Sequence, residues 1–150
     1  MGEIDGKPNA KPMRMTLEES RQAEGILVVD DEEGCRYIVK AALGCQGYRV
    51  HMASNPQEAI KLYGERWQEI RLILLDYLLP EMSGDLVFET LKQLNPAARV
   101  VLLTGCEKSV AAKMFKNGLW DYLQKPFDLS DLDQKVRDAI DAPELAQSPA

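Results

Sequence analysis

Aromatic residues, cysteines and histidine are scarce in this chain: 7% of its 150 residues are aromatic, three are cysteine and one is histidine. Three cysteines, Cys35, Cys45 and Cys106, form an odd set without the paired close spacing of a zinc site, so they read as reduced thiols and point to a cytoplasmic compartment. A lone thiol at Cys106 reads as inert rather than redox-active. His51, the only histidine, reads as a surface or packing residue, so no histidine phosphotransfer site is argued. Positive charge is also short. A net charge of -6 excludes a broad phosphate-backbone contact surface, which depends on clustered Lys and Arg, and no nucleic-acid partner is expected. Long apolar runs are missing too: Ile26–Val29, Leu72–Leu75 and Val100–Leu103 are short blocks, against the roughly 18 apolar residues of a membrane span. No membrane partner is expected, and the N-terminus does not read as a secretory signal.

What is present is an apolar fraction of 45%, enough for one folded domain of this length to bury a core unaided. Residues 1–24 mix Gly2, Gly6, Pro8 and Pro12 with scattered charge and read as a flexible leader, although Thr16 and Glu19 have the spacing of a capping box. Residues 25–141 form the expected domain, and 142–150 read as a disordered tail around Pro143 and Pro149. There is no internal repeat.

Within the domain, short β-branched or Leu-rich blocks alternate with longer segments of helical period, the pattern of βα units around a parallel sheet. Strands are expected at Ile26–Asp30, Arg49–Ala53, Leu72–Asp76, Arg99–Thr104 and Tyr122–Gln124. The continuous apolar runs of the first, third and fourth imply strands covered on both faces. Helices are expected at Glu33–Cys45, Pro56–Arg66, Gly84–Leu94, Lys108–Asn117 and Leu129–Ile140. Asn55 before Pro56 is a cap followed by proline at the first helical position, and Gly47 and Gly118 follow helix ends.

Polar residues then fall at strand ends: Asp30 and Asp31 after the first strand, Asp76 at the end of the third, Thr104 at the end of the fourth, and Lys125 after the fifth. In a parallel sheet these ends share one edge, where open α/β folds place ligands. Three clustered carboxylates repel one another unless a cation joins them, and a magnesium ion, which takes oxygen ligands and bridges carboxylate to phosphoryl oxygen, suits that role. Lys125 supplies a positive charge to a phosphoryl oxygen, and Thr104 a hydroxyl donor. Taken singly, each acid is better read as a turn or cap residue, with Asp31 a candidate cap of the first helix. Taken together, the set suits phosphoryl transfer to the carboxylate of Asp76.

The motifs VVDDEE at 28–33, LILLDYLLPEMSG at 72–84, VVLLTG at 100–105 and DYLQKPF at 121–127 resemble, as an ordered set, the receiver domain of bacterial two-component response regulators (CheY-like). The resemblance runs from Gly25 to about Ile140. It implies a doubly wound α/β fold: a flavodoxin-like, five-stranded parallel sheet in strand order 2-1-3-4-5 with five helices. It implies that Asp76 takes a phosphoryl group from the phosphohistidine of a histidine kinase or phosphotransfer protein, and that Asp31, Asp76 and the backbone carbonyl of Leu78 bind Mg²⁺ directly while Asp30 acts through the metal's water shell. It further implies a switch in which Thr104 and the ring of Tyr122 move together and remodel a docking face for a downstream protein target. A cis Lys125–Pro126 bond is also implied.

Leu78 and Cys106 stand two residues beyond Asp76 and Thr104, where receivers often hold polar side chains. Neither suits the positioning of an attacking water, so slow self-dephosphorylation is expected. The same Leu78 disfavours a haloacid-dehalogenase-like phosphatase, which needs a second acid there; a phosphoacceptor without independent turnover is the expectation. A degenerate, non-phosphorylated interaction domain is the other alternative, and it usually lacks one of the acids, the threonine or the lysine, all retained here. The segment NGLWDYLQKPF loosely resembles receivers fused to hybrid histidine kinases, so the chain reads either as stand-alone or as excised from such a protein. Trp67 and Trp120 read as packing residues at least as readily as interface anchors.

Overall fold

A computed structural model describes residues 24–105 and 108–143. The elements follow in strict alternation: β1 (Gly25–Val29), α1 (Glu33–Cys45), β2 (Arg49–Ala53), α2 (Pro56–Arg66), β3 (Ile70–Asp76), α3 (Gly84–Leu94), β4 (Val100–Thr104), α4 (Lys108–Lys116), β5 (Asp121–Gln124) and α5 (Leu129–Asp141). Every strand pairing is parallel and the sheet order is β2-β1-β3-β4-β5, so the doubly wound α/β architecture expected from the sequence is the one observed. The expected leader and tail fall almost entirely outside the described residues, as do the Thr16–Glu19 capping box and Cys106.

Alternation of side chains along the strands explains the two layers of helix. Leu27 and Val29 of β1, Ile73 and Leu75 of β3, and Val100 and Leu102 of β4 pack with Ala59 and Tyr63 of α2, Val87, Phe88 and Leu91 of α3, and Ala111 and Met114 of α4. The intervening residues, Ile26 and Val28, Leu72 and Leu74, Val101 and Leu103, pack with Val39 and Leu43 of α1 and with Leu132, Val136 and Ala139 of α5. The three central strands are buried along nearly their whole length, as their uninterrupted apolar runs require.

The element ends follow local chemistry. The side chain of Asn55 accepts the Glu58 N–H at 2.9 Å, with Pro56 opening α2, and the Glu58 carboxylate returns to the Ser54 N–H at 2.7 Å. Gly47 and Gly118 sit at φ of 96° and 101° after α1 and α4, a region in which a side chain is strained. Strand β3 begins at Ile70, two residues earlier than the apolar run suggested, because Gly25 N–H reaches the Glu69 carbonyl and carries the pairing past the polar Arg71. The first helix is not capped by Asp31: its N-cap is Glu32, with no side-chain cap bond.

At the N-terminal edge of the sheet, Arg99 is buried, its guanidinium 4.7 Å from the Trp120 ring centroid and donating to the carbonyl of Ala139 near the end of α5. Trp120 is accordingly a packing residue against the α1/α5 layer, whereas Trp67 is 43% exposed. Among the described residues, no helix is long and apolar enough to cross a membrane.

Candidate functional site

The C-terminal edge of the sheet gathers the acids. β1 delivers Asp30 one residue past its end, Asp31 follows in the turn to α1, and β3 delivers Asp76 as its last residue. Carboxylate oxygens of Asp30, Asp31 and Asp76 all lie within 4.8 Å of one another. Asp30 and Asp76 are buried and Asp31 is exposed, so the cluster is walled below and open above.

Lys125, carried here by the loop after β5, bridges the two buried acids: Nζ stands 3.1 Å from Asp30 Oδ2 and 3.6 Å from Asp76 Oδ2. The Lys125–Pro126 peptide is cis, as expected from the sequence, and the Lys125 N–H donates to the Thr104 carbonyl at 2.8 Å. The lysine and the end of β4 are thereby tied together. Thr104 itself is buried at the last position of β4, one residue beyond Leu103, which pairs with Asp76.

Leu78 donates its backbone N–H to Asp76 Oδ1 at 3.3 Å, and the residue is 62% exposed. The loop it belongs to is held shut by Gly84, whose N–H donates to the Tyr77 carbonyl at 3.0 Å. A Cβ on Gly84 would lie 2.8 Å from the Tyr77 ring. Tyr122 is further from the acids, half-buried, with its ring edge-on to Phe115 at 6.2 Å and packed on the same sheet face as α4.

Electrostatics divides the two buried acids. Burial drives Asp76 up, its neighbour Asp30 adds to the rise, and Lys125 and the Leu78 N–H only partly offset it, leaving its carboxyl at about 6. Asp30 feels the same burial, but the adjoining Cys35 thiol, the Glu32 N–H bond at 2.9 Å and the Lys125 ammonium outweigh it and hold that carboxyl below the usual range. For Lys125, burial acts to lower its affinity for a proton, and the bond to Asp30 with the charges of both acids reverses this into a net rise. At neutral pH the two buried acids are therefore both carboxylates set against one ammonium, a surplus of negative charge that a divalent cation would balance. The donor set, all hard oxygens, fits magnesium.

Two contributors were not visible in the sequence. Cys35 and Arg36, on the first turns of α1, both approach Asp30, the former with its sulfur within 4.8 Å of a carboxylate oxygen and the latter donating through Nη1 to the backbone carbonyl at 2.7 Å. Nothing in the spacing alone says which way that helix is turned. His51 is half-buried in the edge strand β2, where it pairs with Leu27 of β1.

Comparison with known proteins agrees with this geometry. The family model of the response regulator receiver domain matches residues 26–137, and the chain belongs to that family. It is 32% identical over 116 residues to the regulatory protein AtoC of Escherichia coli, a match spanning 77% of this chain and 25% of that protein. To the transcriptional regulatory protein SrrA of Staphylococcus aureus it is 35% identical over 112 residues, spanning 75% of this chain and 46% of that protein. The chain thus corresponds to a quarter to about half of these curated relatives. Among solved structures, a response regulator receiver domain protein of Clostridium thermocellum superposes with a TM-score of 0.75 at 30% identity, covering 78% of this chain and 94% of that one. A CheY-like receiver domain protein of Methanospirillum hungatei gives 0.74 at 27% identity, covering 79% and 94%.

Proposed function

We propose that this domain is the phosphoacceptor of a two-component phosphorelay, with Asp76 the residue phosphorylated. One observation carries the reading: three carboxylates within 4.8 Å of one another at a strand-end edge, with the Lys125 ammonium set between the two buried ones. In the transfer, a carboxylate oxygen of Asp76 attacks the phosphorus of a phosphohistidine. The P–O bond forms as the P–N bond breaks, and the imidazole leaves and takes up a proton. Asp76 must be ionised to attack, and Lys125 neutralises charge gathering on the phosphoryl oxygens.

Asp30, Asp31, Asp76 and the Leu78 carbonyl would hold Mg²⁺, which when bound would neutralise phosphoryl oxygens and draw the acids into their charged forms. Thr104, at the end of β4, offers its hydroxyl to the new phosphoryl group. Tyr122, the second residue of β5, paired with Leu102 and packed towards α4, reads that movement out to the surrounding face, where a downstream protein docks. The phosphoryl donor is a histidine kinase or phosphotransfer protein. Independent turnover of substrate is not part of this function, because Leu78, two residues beyond Asp76, offers only an alkyl chain, which cannot position water. Residues 25–141 constitute the working unit. Its acidic balance argues against direct DNA contact by this domain, although SrrA, of which it matches 46%, is by its name a regulator of transcription.

The test is incubation of the chain with Mg²⁺ and acetyl phosphate, followed by intact mass. One added phosphoryl group, absent from Asp76→Asn, is expected. No adduct, or an adduct that survives that substitution, overturns the reading.

A further inference from the structure

Asp31 is the least held of the three acids. Asp30 and Asp76 are buried and hydrogen-bonded, whereas Asp31 is exposed, and among the described residues its carboxylate has no hydrogen bond or ion pair. Its placement is therefore set by the backbone on either side. A peptide unit is planar, so one anchored atom in each flanking peptide goes far to fix the Cα between them. After Asp31, the Glu32 N–H donates to Asp30 Oδ1 at 2.9 Å. Before it, the Asp30 carbonyl accepts from Arg36 Nη1 at 2.7 Å, and the Asp30 N–H donates to the carbonyl of Ala53, the last residue of β2, at 3.1 Å. The Asp30 carbonyl lies past the end of β1, in a residue with none of its surface exposed, where an unpaired oxygen is costly; a side chain from the first turns of α1 supplies its donor. Helical side chains lean towards the N-terminus of their helix. Arg36, whose own N–H is bonded to the Glu32 carbonyl at 3.0 Å, thus reaches back six residues.

We propose that Arg36 is a positioning residue of the phosphoacceptor site, its bond to the Asp30 carbonyl holding the peptide between residues 30 and 31 so that the Asp31 carboxylate stays within reach of an ion shared with Asp76. This rests on the reading of Asp31 and Asp76 as magnesium ligands. Carboxylate oxygens of Asp30, Asp31 and Asp76 already lie within 4.8 Å of one another. Magnesium tolerates little departure from octahedral geometry at about 2.1 Å, so a ligand on a loosely held turn binds at an entropic cost. With Arg36 in place, only the side-chain angles of Asp31 remain to be ordered when the ion arrives. Without it, the preceding peptide plane is also free to turn, and its ordering opposes metal binding. The charge of Arg36 works the other way: a cation beside acids repels a second cation, so by Coulomb's law alone removing the guanidinium would tighten Mg²⁺ binding. Positioning and charge therefore predict opposite signs, and salt separates them, since screening weakens only the second. Outer contacts to metal ligands typically alter affinity by about 10- to 100-fold. A backbone contact one peptide removed from the ligand, offset by its own charge, belongs at or below the bottom of that range.

The measurement is Mg²⁺ affinity of the full chain by titration calorimetry, at low salt and at about 0.5 M KCl. Arg36→Met keeps the aliphatic stem and removes every side-chain donor, whereas Arg36→Lys keeps the charge and a single-point donor. The expected result is that Arg36→Met binds Mg²⁺ about 5- to 10-fold more weakly, with a loss at least as large at high salt, and that Arg36→Lys lies between it and wild type. Arg99→Met, which removes contacts at the opposite edge of the sheet, should bind Mg²⁺ as wild type does. That comparison separates positioning from a general loss of stability. The proposal is overturned if Arg36→Met binds Mg²⁺ within about twofold of wild type, or more tightly, at both salt concentrations, or if Arg99→Met loses as much affinity as Arg36→Met. Should Arg36→Met not fold, Arg36→Leu takes its place under the same thresholds. Asp31→Asn runs alongside. Wild-type Mg²⁺ binding by that variant would overturn the metal-site reading and this proposal with it, whereas weakened binding there beside unchanged binding in Arg36→Met would overturn the role of Arg36 alone.

Discussion

Removing the charge of Asp76 should make the metal-free protein more stable. In the folded chain this carboxyl is raised from 3.8 to about 6, chiefly by burial and by the charge of Asp30. At about 1.36 kcal/mol per pH unit, keeping it ionised above that point opposes folding by about 3 kcal/mol. The sign follows from proton binding: between 3.8 and about 6 the folded state holds the proton more tightly than the unfolded chain, so this group's contribution to stability falls as pH rises through that window. Asp30 behaves oppositely, being lowered; its contribution is present above the ordinary value of 3.8 and is lost as pH falls below it, so it leaves the window from about 4 to 7 to Asp76. Urea unfolding in EDTA should therefore find Asp76→Asn more stable than wild type by about 1 to 3 kcal/mol near pH 7.5, with the difference vanishing towards pH 4. Millimolar Mg²⁺ should then raise wild type and leave Asp76→Asn largely unmoved, since an ion that binds only the folded state stabilises by mass action. A destabilised Asp76→Asn at neutral pH, or equal stabilisation of both proteins by Mg²⁺, would refute the electrostatic account.

Three further outcomes follow from named contacts. Lys125→Met leaves Asp30 and Asp76 facing each other without their shared cation; unfolding in EDTA should show a loss of about 2 to 4 kcal/mol, largely relieved in the double variant with Asp76→Asn, and labelling by acetyl phosphate should drop steeply. Arg99→Met removes the bond to the Ala139 carbonyl and the stacking on Trp120, and should lower stability by about 1 to 3 kcal/mol with labelling unchanged, because Arg99 lies at the opposite edge of the sheet; impaired labelling in a folded variant would contradict that separation. For Leu78→Asn, an amide two residues beyond Asp76 can position water, so the phosphorylated chain should decay several-fold faster by intact-mass time course. Decay of the unsubstituted protein within seconds to a few minutes, not accelerated by the substitution, would show that Leu78 does not set the lifetime.

Most of the architecture was legible because apolar runs and helical stripes obey different periods. The uninterrupted apolar blocks of β1, β3 and β4 report burial on two faces, and Asn55-Pro56 and Gly118 mark boundaries through backbone chemistry that needs no neighbour. Boundaries drifted where pairing, not side-chain pattern, sets the end: Ile70 joins β3 because its partner strand reaches Glu69.

The primary structure by itself determined the alternation of strand and helix, and with it which residues arrive at the C-terminal sheet edge: Asp30, Asp76, Thr104 and Lys125 are there because each follows or ends a strand. Only the tertiary structure decided what those residues are to one another. That Lys125 sits between two acids, that Asp76 is raised while Asp30 is lowered, and that Cys35 and Arg36 close on Asp30 all depend on how far each element is buried and how α1 is rotated on the sheet. Those are sums over contacts from distant parts of the chain. No local pattern contains them.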